Sequence, residues 1–402
     1  VRRGETPPIE RIIELDSRRK ELIQAVDVDR ANRNKVSKAI GDEKRKPMPE
    51  EIVEMRETGD RIKAIQADLA GVLEELNATL LTIPNAPLDD VPDGLDEESN
   101  IVIRTSEGLT ETHGNAHWDV ATELDILDLE AGASIAGARF YVLKGKGAKL
   151  QRALASWMLD IQTEVHGYTE IDPPLLVRGE TMTGSGNLPK FKDNLYRDDD
   201  SDLWLVPTAE VALNGLHQGQ IIDPDKLPLK YVAQTPSFRK EQTSAGRDVR
   251  GIKRVHQFEK VEMFRYVEPE TSDEMLEEML GEAESLCARL GLTYRVLQLC
   301  AGDIGFQSAK TYDIEVWSPG CAEWLEVSSI STCTDFQARR NGTRYRPEVG
   351  ASTKLPHTLN GSGLALPRIW IAVIENGLQE DGTIVIPEVL VPYTGWDRIE
   401  AN

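Results

Sequence analysis

Between Thr235 and Glu262 the chain reads TPSFRKEQTSAGRDVRGIKRVHQFEKVE. Two guanidinium groups (Arg239, Arg254), two carboxylates (Glu241, Glu262) and one aromatic ring (Phe258) share this short stretch. A nucleoside triphosphate needs such a set. Guanidinium forks neutralise and orient phosphates, a ring face stacks on a base, and carboxylates accept amino groups or hold a hard metal ion. The pattern predicts two strands joined by a Gly-rich, charged loop. His256 invites a reading as general base, since even-numbered residues from Arg254 to Glu262 share the face of Glu262. Phosphoryl transfer depends on positioning more than on proton abstraction, and no triad partner is evident. A structural hydrogen bond is the expectation for His256.

Other nucleotide signatures are absent from the sequence. No Gly-x-x-x-x-Gly-Lys-[Ser/Thr] occurs, and Gly145-Lys146-Gly147-Ala148-Lys149 has the wrong length for a phosphate loop. Gly184-Ser185-Gly186 lacks the third glycine of a dinucleotide fingerprint. Both read as turns.

The elements that must position these residues fall into two groups. Residues 9–46 and 50–83 predict two long helices. Met55, Ile62, Leu69 and Leu76 recur every seven residues, with Ile52, Gly59, Gln66, Leu73 and Leu80 as the companion row. The first helix carries Leu15, Leu22, Asp29 and Val36 in one row and Ile12, Arg19, Val26, Arg33 and Ile40 in the other. Heptad stripes of this kind bury one seam, as in a coiled coil. Pro47 and Pro49 are read as lying between the helices and stopping propagation, so the pair forms an antiparallel hairpin. Pro84, Pro87 and Pro92 mark its end. The expected division is 1–95 for the hairpin domain and 96–402 for the body.

From about residue 100 the heptads vanish and short apolar runs alternate with Gly- and Pro-marked turns. Strands are predicted at Ile101–Arg104, Phe140–Leu143, Trp204–Val206, Phe258–Tyr266, Tyr312–Trp317 and Trp324–Val327, and helices at Ala148–Val165 and Ser272–Leu290. Strands and helices do not alternate regularly, which disfavours a doubly wound parallel sheet. The fold class expected is α+β, an antiparallel sheet flanked by helices.

The 402 residues suffice for a large core plus an accessory domain. With 40% hydrophobic and 28% charged residues, the composition is that of a soluble protein. No run of about 18 apolar residues predicts a membrane span, and no signal-peptide pattern opens the chain. The four cysteines (Cys287, Cys300, Cys321, Cys333) show no Cys-x-x-Cys pairing. A reducing, cytoplasmic setting is therefore expected. Cys300, Cys321, Cys333 and His357 could be drawn around a metal, but their irregular spacing favours buried apolar thiols, and no zinc is expected.

A net charge of −22 argues against non-specific nucleic-acid binding. Residues 9–46 nevertheless hold 11 Lys/Arg against 8 Asp/Glu, and residues 50–85 hold 3 against 8. Arg30, Arg33, Lys35 and Lys38 could track a phosphate backbone. From charge alone, a solvated helix paired to its acidic neighbour is favoured instead.

Arg-x-Glu, a loop and Phe-x-x-x-Glu together resemble the second signature motif of class II aminoacyl-tRNA synthetases. The wording FRKE…SAGRDVRG…RVHQFEKVE is similar to the seryl-tRNA synthetase family. Gly167–Pro174 (GYTEIDPP) resembles the first class II motif, Thr208-Ala209-Glu210 the serine-binding loop, and His357–Arg368 (HTLNGSGLALPR) the third motif. These stretches stand in family order across nearly the whole chain.

The resemblance implies a class II catalytic core with an N-terminal antiparallel coiled-coil arm. It further implies activation of L-serine by ATP to seryl-adenylate, with release of pyrophosphate, and transfer to tRNA(Ser), extending to tRNA(Sec) where present. It assigns Arg239 to the serine carboxylate and the α-phosphate, Glu241 to the adenine amino group, and Phe258 to the adenine ring, with Val255 and Lys240 nearby. Arg254 and Arg368 go to the outer phosphates. Glu326, Val327, Ser328 and Ser329 form an ATP-binding stretch, with Glu326 and Ser329 as magnesium ligands. Thr208, Glu210, Glu262, Asn360 and Ser362 contact serine. A site built around the substrate hydroxyl would reject alanine strongly. The arm, through Arg30, Arg33, Lys35 and Lys38, grips tRNA. Pro174 lies at a homodimer interface. The chain opens without Met, and family members carry a short segment before the arm, so a clipped start is expected.

Small departures exist. Lys240 stands where the family often has a small residue, and Ile330 where cysteine is common. Three rivals are weighed. A ligase that charges a carrier protein would lack the long arm. A silent RNA-binding paralogue would have lost Arg239, Glu241, Glu262 or Arg368. A threonine or proline synthetase is opposed by the SAGRDVRG loop and the arm.

Overall fold

The computed structural model describes residues 2–241 and 250–400. The chain divides into two compact units, Glu5–Ile83 and a second made of Val1–Gly4 with Pro84–Asn402.

In the first unit, helices α1 (Ile9–Asp42) and α2 (Pro49–Leu80) lie antiparallel. Arg11 bonds Glu75 near one end of the pair, and Arg61 meets Asp29 further along. The seam of α1 follows the predicted rows at Leu15, Leu22 and Val26, which are buried, but not at Arg33, which is exposed. On α2, Ile62 and Leu76 are buried as expected, but the companion row is displaced by one residue. Ile52, Leu73 and Leu80 are exposed, while Thr58, Ile65, Val72 and Thr79 are buried or half-buried. The seam alternates steps of three and four residues, and the step from Met55 is three. Pro49 also differs from expectation, since it is the first residue of α2. A proline there loses no helical hydrogen bond. The Glu51 carboxylate caps the helix by accepting from Met48 N at 2.8 Å.

The second unit is built on an eight-stranded sheet. Its strands are β1 (Ile101–Thr105), β2 (Thr169–Glu170), β3 (Leu229–Phe238), β4 (Gln257–Val267), β5 (Tyr294–Gln298), β6 (Lys310–Ser318), β7 (Glu323–Thr334) and β8 (His357–Ala365). Their spatial order is β1-β5-β6-β7-β8-β4-β3-β2. Every pairing is antiparallel except β2 with β3. Among its helices are α3 (His117–Glu123), α4 (Gly145–Asp160), α5 (Ala209–Gly215), α6 (Ser272–Arg289), α7 (Phe336–Asn341) and α8 (Leu366–Gly377).

Alternation divides the central strands into two faces. Val261, Met263, Ile330 and Leu359 join one large core with Leu154 and Met158 of α4, Met279 and Leu280 of α6, and Trp370 of α8. Each such side chain contributes about 1.5–3 kcal/mol when fully buried. Gly361 lies within this packing, where an added Cβ would press on Ile330 and Met279. On the opposite face α5 packs Ala209 and Leu213 against Ala233, Phe264 and Tyr266. The polar residues of the site lie on that side.

Two predicted strands belong elsewhere. Only Val142–Leu143 of the first is extended, pairing with Leu127–Asp128, and Leu203–Leu205 pairs with Leu176–Arg178. Strand β7 runs well past the predicted Val327, because Ser328–Thr334 is Ser/Thr-rich and carries no apolar alternation.

Candidate active site

Register brings the site residues onto one face. Across β3 and β4, Ser237 pairs with Phe258, Thr235 with Lys260 and Ala233 with Glu262. On the other side of β4, Ser362 of β8 pairs with Glu262, and Asn360 pairs with Ser331 of β7. Directly opposed residues share a face, so Phe258, Lys260, Glu262, Asn360, Ser362 and Ser331 converge. They line a cavity of about 460 Å³.

Arg239, Glu241, Arg254, Val255, Phe258, Glu326, Val327, Ser329 and Arg368 border this cavity. So do Thr208, Glu210, Glu262, Asn360 and Ser362. Lys240 and Ser328 lie outside its lining. The Lys240 ammonium sits 5.6 Å from the Tyr196 ring centre, and the Ser328 hydroxyl donates to Ser362 O at 2.5 Å. Arg30, Arg33, Lys35 and Lys38 are exposed on α1, in the other unit. Most of the SAGRDVRG loop lies outside the described residues.

Arg239 is anchored by donation from Nε to Pro207 O at 3.2 Å, and its guanidinium lies 5.1 Å from the Phe258 ring centre. Burial lowers its pKa, opposed by the charges of Glu241 and Glu326. Glu241 has a left-handed backbone (φ 44°) and its carbonyl accepts from Arg139 at 2.7 Å. Its carboxylate is 3.8 Å from the Arg254 guanidinium. Arg368, in the first turn of α8, donates to Glu326 O at 2.6 Å and to Lys253 O at 3.3 Å. His256 Nδ1 donates to Arg239 O at 3.0 Å, so it fastens the two strand ends together.

The amino-acid end of the cavity is acidic. Thr208 caps α5, accepting from Glu210 N at 3.4 Å. Burial, then the charge of Glu262, raises the Glu210 carboxyl to about 7. Glu262 forms a buried ion pair with Lys260. Alternation places Lys260 on this face, but its pairing with Glu262 becomes apparent only when β4 is folded.

Magnesium fits the donor set beside Glu326. Glu326 and Ser329 offer hard oxygens. Asp313 of β6 pairs with Ser329 across the sheet, and among the described residues its buried Oδ1 has no hydrogen-bond partner. Burial, then the charge of Glu326, holds the Asp313 carboxyl well above its ordinary range. A divalent cation there would favour the ionised form of both carboxyls.

A second cluster lies behind the loop that carries Lys253 and Arg254. Atoms of His117, Cys321 and Glu375 lie within 4.8 Å of one another. It differs from the cysteine and histidine set considered from sequence. His117 Nε2 accepts from Ile252 N at 3.3 Å, so Nδ1 carries the proton and donates to Glu375 Oε1 at 3.0 Å. Burial lowers the His117 pKa, opposed by the hydrogen bond to Glu375. Glu375 also accepts from His117 N, Ser318, Gly320 N and Cys321. The cluster is thus a hydrogen-bonded node that fastens Ile252 to α8. Gly251 passes so close to the His117 ring that a side chain there would collide with it.

Among the described residues, no helix is long and apolar enough to cross a membrane. A family model described as the seryl-tRNA synthetase N-terminal domain matches residues 1–87. One described as the tRNA synthetase class II core domain (G, H, P, S and T) matches residues 190–377. The serine–tRNA ligase of Thermomicrobium roseum is 54% identical over 391 residues, spanning 96% of this chain and 88% of that protein. The serine–tRNA ligase of a Roseiflexus species is 52% identical over 391 residues, spanning 96% and 92%. The solved seryl-tRNA synthetase from Pyrococcus horikoshii complexed with ATP superposes with a TM-score of 0.92 at 36% identity, covering 98% of this chain and 93% of its own. The cytoplasmic serine–tRNA ligase from Naegleria fowleri in complex with AMP gives 0.86 at 29%, covering 98% and 92%. With its antiparallel sheet, its helical arm and relatives aligned over nearly its full length, the chain belongs to the seryl-tRNA synthetase family of class II aminoacyl-tRNA synthetases.

Proposed function

We propose that this enzyme activates L-serine with ATP and transfers it to tRNA(Ser), and to tRNA(Sec) where that RNA exists. The observation that carries this reading is one cavity that joins a phosphate- and base-binding set to a buried acidic pocket lined by Thr208, Glu210, Glu262, Asn360 and Ser362.

In the first step a serine carboxylate oxygen bonds to the α-phosphorus, and the bond to the bridging oxygen breaks. Pyrophosphate leaves with that electron pair. Arg239 holds the attacking carboxylate and the α-phosphate together, because a planar fork matches both groups. Its aromatic neighbour Phe258 stacks on adenine, and Glu241 accepts the adenine amino group. Arg254 and Arg368 balance charge on the leaving phosphates. Glu326 and Ser329, with Asp313 beside them, would hold a magnesium ion, which would supply charge neutralisation at the phosphates. Glu210 and Glu262 receive the ammonium and hydroxyl of serine. In the second step the terminal ribose hydroxyl of tRNA bonds to the acyl carbon, and AMP departs.

The homodimer is part of the same reading. Pro174 is exposed, and Val165 and Leu176 nearby are 56% and 48% exposed, an apolar surface suited to a second copy. The carrier-protein alternative is disfavoured by the arm and by the N-terminal family match.

Serine-dependent exchange of pyrophosphate into ATP tests the assignment. Exchange is expected with serine and not with alanine or threonine. Robust exchange with threonine and none with serine would overturn it.

A further inference from the structure

We propose that Gln337 is a positioning residue of the amino-acid pocket, its side-chain amide holding the Glu210 carboxylate in the orientation that receives the serine ammonium. The proposal rests on the reading of Glu210 as a serine contact.

Gln337 lies in the first turn of α7, is fully buried, and stands outside the cavity lining. Its Nε2 donates to Glu210 Oε1 at 2.6 Å and to Ser185 O at 3.2 Å. Its Oε1 accepts from the Thr358 hydroxyl at 2.7 Å. These three bonds fix which way the amide faces. Flipped, it would turn an oxygen toward the Glu210 carboxylate and strand the Thr358 donor. Asn360 Nδ2 adds a second donor to Glu210 Oε1 at 3.2 Å. One carboxylate oxygen is thereby bound to two side-chain amides, and rotation of the group is blocked.

The electrostatic setting makes this donor matter. Glu210 is 5% exposed, and among the described residues no lysine or arginine forms an ion pair with it. The charged and titratable groups that face it are Glu262 and Lys260 from β4 and Cys333 from β7. Burial and Glu262 favour the protonated acid, whereas Lys260 and the amides of Gln337 and Gln307 favour the anion. The balance leaves Glu210 at about 7. A neutral donor thus helps decide how much anion is present to meet an ammonium group. Without Gln337 the carboxyl rises further, so the anion forms only at higher pH.

The test measures serine-dependent exchange between about pH 6 and 9 for the wild type, Gln337→Met, Thr358→Val and Glu210→Gln, with thermal melting as a control on folding. Gln337→Met keeps length and removes the donor. It is expected to raise the KM for serine about tenfold with the KM for ATP unchanged within about twofold. It should also move the acidic limb of kcat/KM for serine upward by about half a pH unit or more. Thr358→Val, which frees the amide, is expected to shift the limb in the same direction by less. Gln337→Met that lowers melting or kcat while leaving the serine KM and the acidic limb in place would overturn the proposal in favour of a purely structural role. Should Gln337→Met fail to fold, an unmoved limb in Thr358→Val overturns it equally. Glu210→Gln with an unchanged serine KM would instead refute the role of Glu210 on which the proposal stands.

Discussion

In the proposed reaction, Arg239 is the residue on which most of the chemistry converges. Its Nε is tied to Pro207 O, its face lies over Phe258, and acidic neighbours oppose the lowering of its pKa by burial. Arg239→Lys preserves the charge and removes the fork, so one point contact must replace two directed ones. Serine-dependent exchange is expected to lose about 10²–10³ in kcat/KM, the usual consequence of removing one preorganised donor, with little change in melting temperature. A variant within about threefold of wild type would show that charge alone suffices at this position. The identities of Arg239, Glu241, Phe258 and Glu262 were legible in the sequence because they sit within one hairpin and obey a two-residue period. Gln337 and Asp313 were not legible. Gln337 reaches Glu210 from a helix 127 positions away, and Asp313 meets Ser329 only through strand pairing. Neither carries a local pattern, so their placement beside the site appears only when the sheet is assembled.

At the scale of elements, the arm and the ligand-lining strands are separable. Helices α1 and α2 bury their seam against each other, and every residue lining the active-site cavity lies in the unit that holds Pro84–Asn402. Deleting about residues 20–75 and rejoining the chain with a short turn is expected to leave serine-dependent exchange within about threefold of wild type. Charging of tRNA should fall below detection. Full charging without the arm would remove its assigned role; lost exchange would mean the core needs it to fold. The hairpin itself was plain from its heptads, but one of its four rows was not. Seven-residue spacing alone leaves open whether the companion position follows by three residues or four, and on α2 only burial at Thr58 and Ile65 shows the answer. Pro49 was misleading for a related reason. A proline breaks a helix interior yet suits its first turn, and the sequence does not say which of the two it occupies.

For the molecule as a whole, the governing quantity is charge. A net charge of −22 repels a polyanion, so productive contact with tRNA must be local and short-ranged. Arg30, Arg33, Lys35 and Lys38 are exposed on α1, and among the described residues none of the four enters an ion pair. Other basic residues of the arm, such as Arg11, Arg19 and Arg45, are spent on neighbouring carboxylates. Replacing the four by glutamine deepens the repulsion without touching the seam. At about 0.15 M salt, where screening acts over about 8 Å, the KM for tRNA is expected to rise at least about tenfold while serine-dependent exchange stays unchanged. Each phosphate contact contributes a slope of about 0.7–0.9 in the logarithm of affinity against the logarithm of salt. The salt dependence of charging at low tRNA should therefore flatten by about three if all four side chains meet phosphates. An unaltered slope with an unaltered KM would place the tRNA contact on other residues. A raised KM with an unaltered slope would mean that the four act by shaping the helix rather than by meeting phosphates.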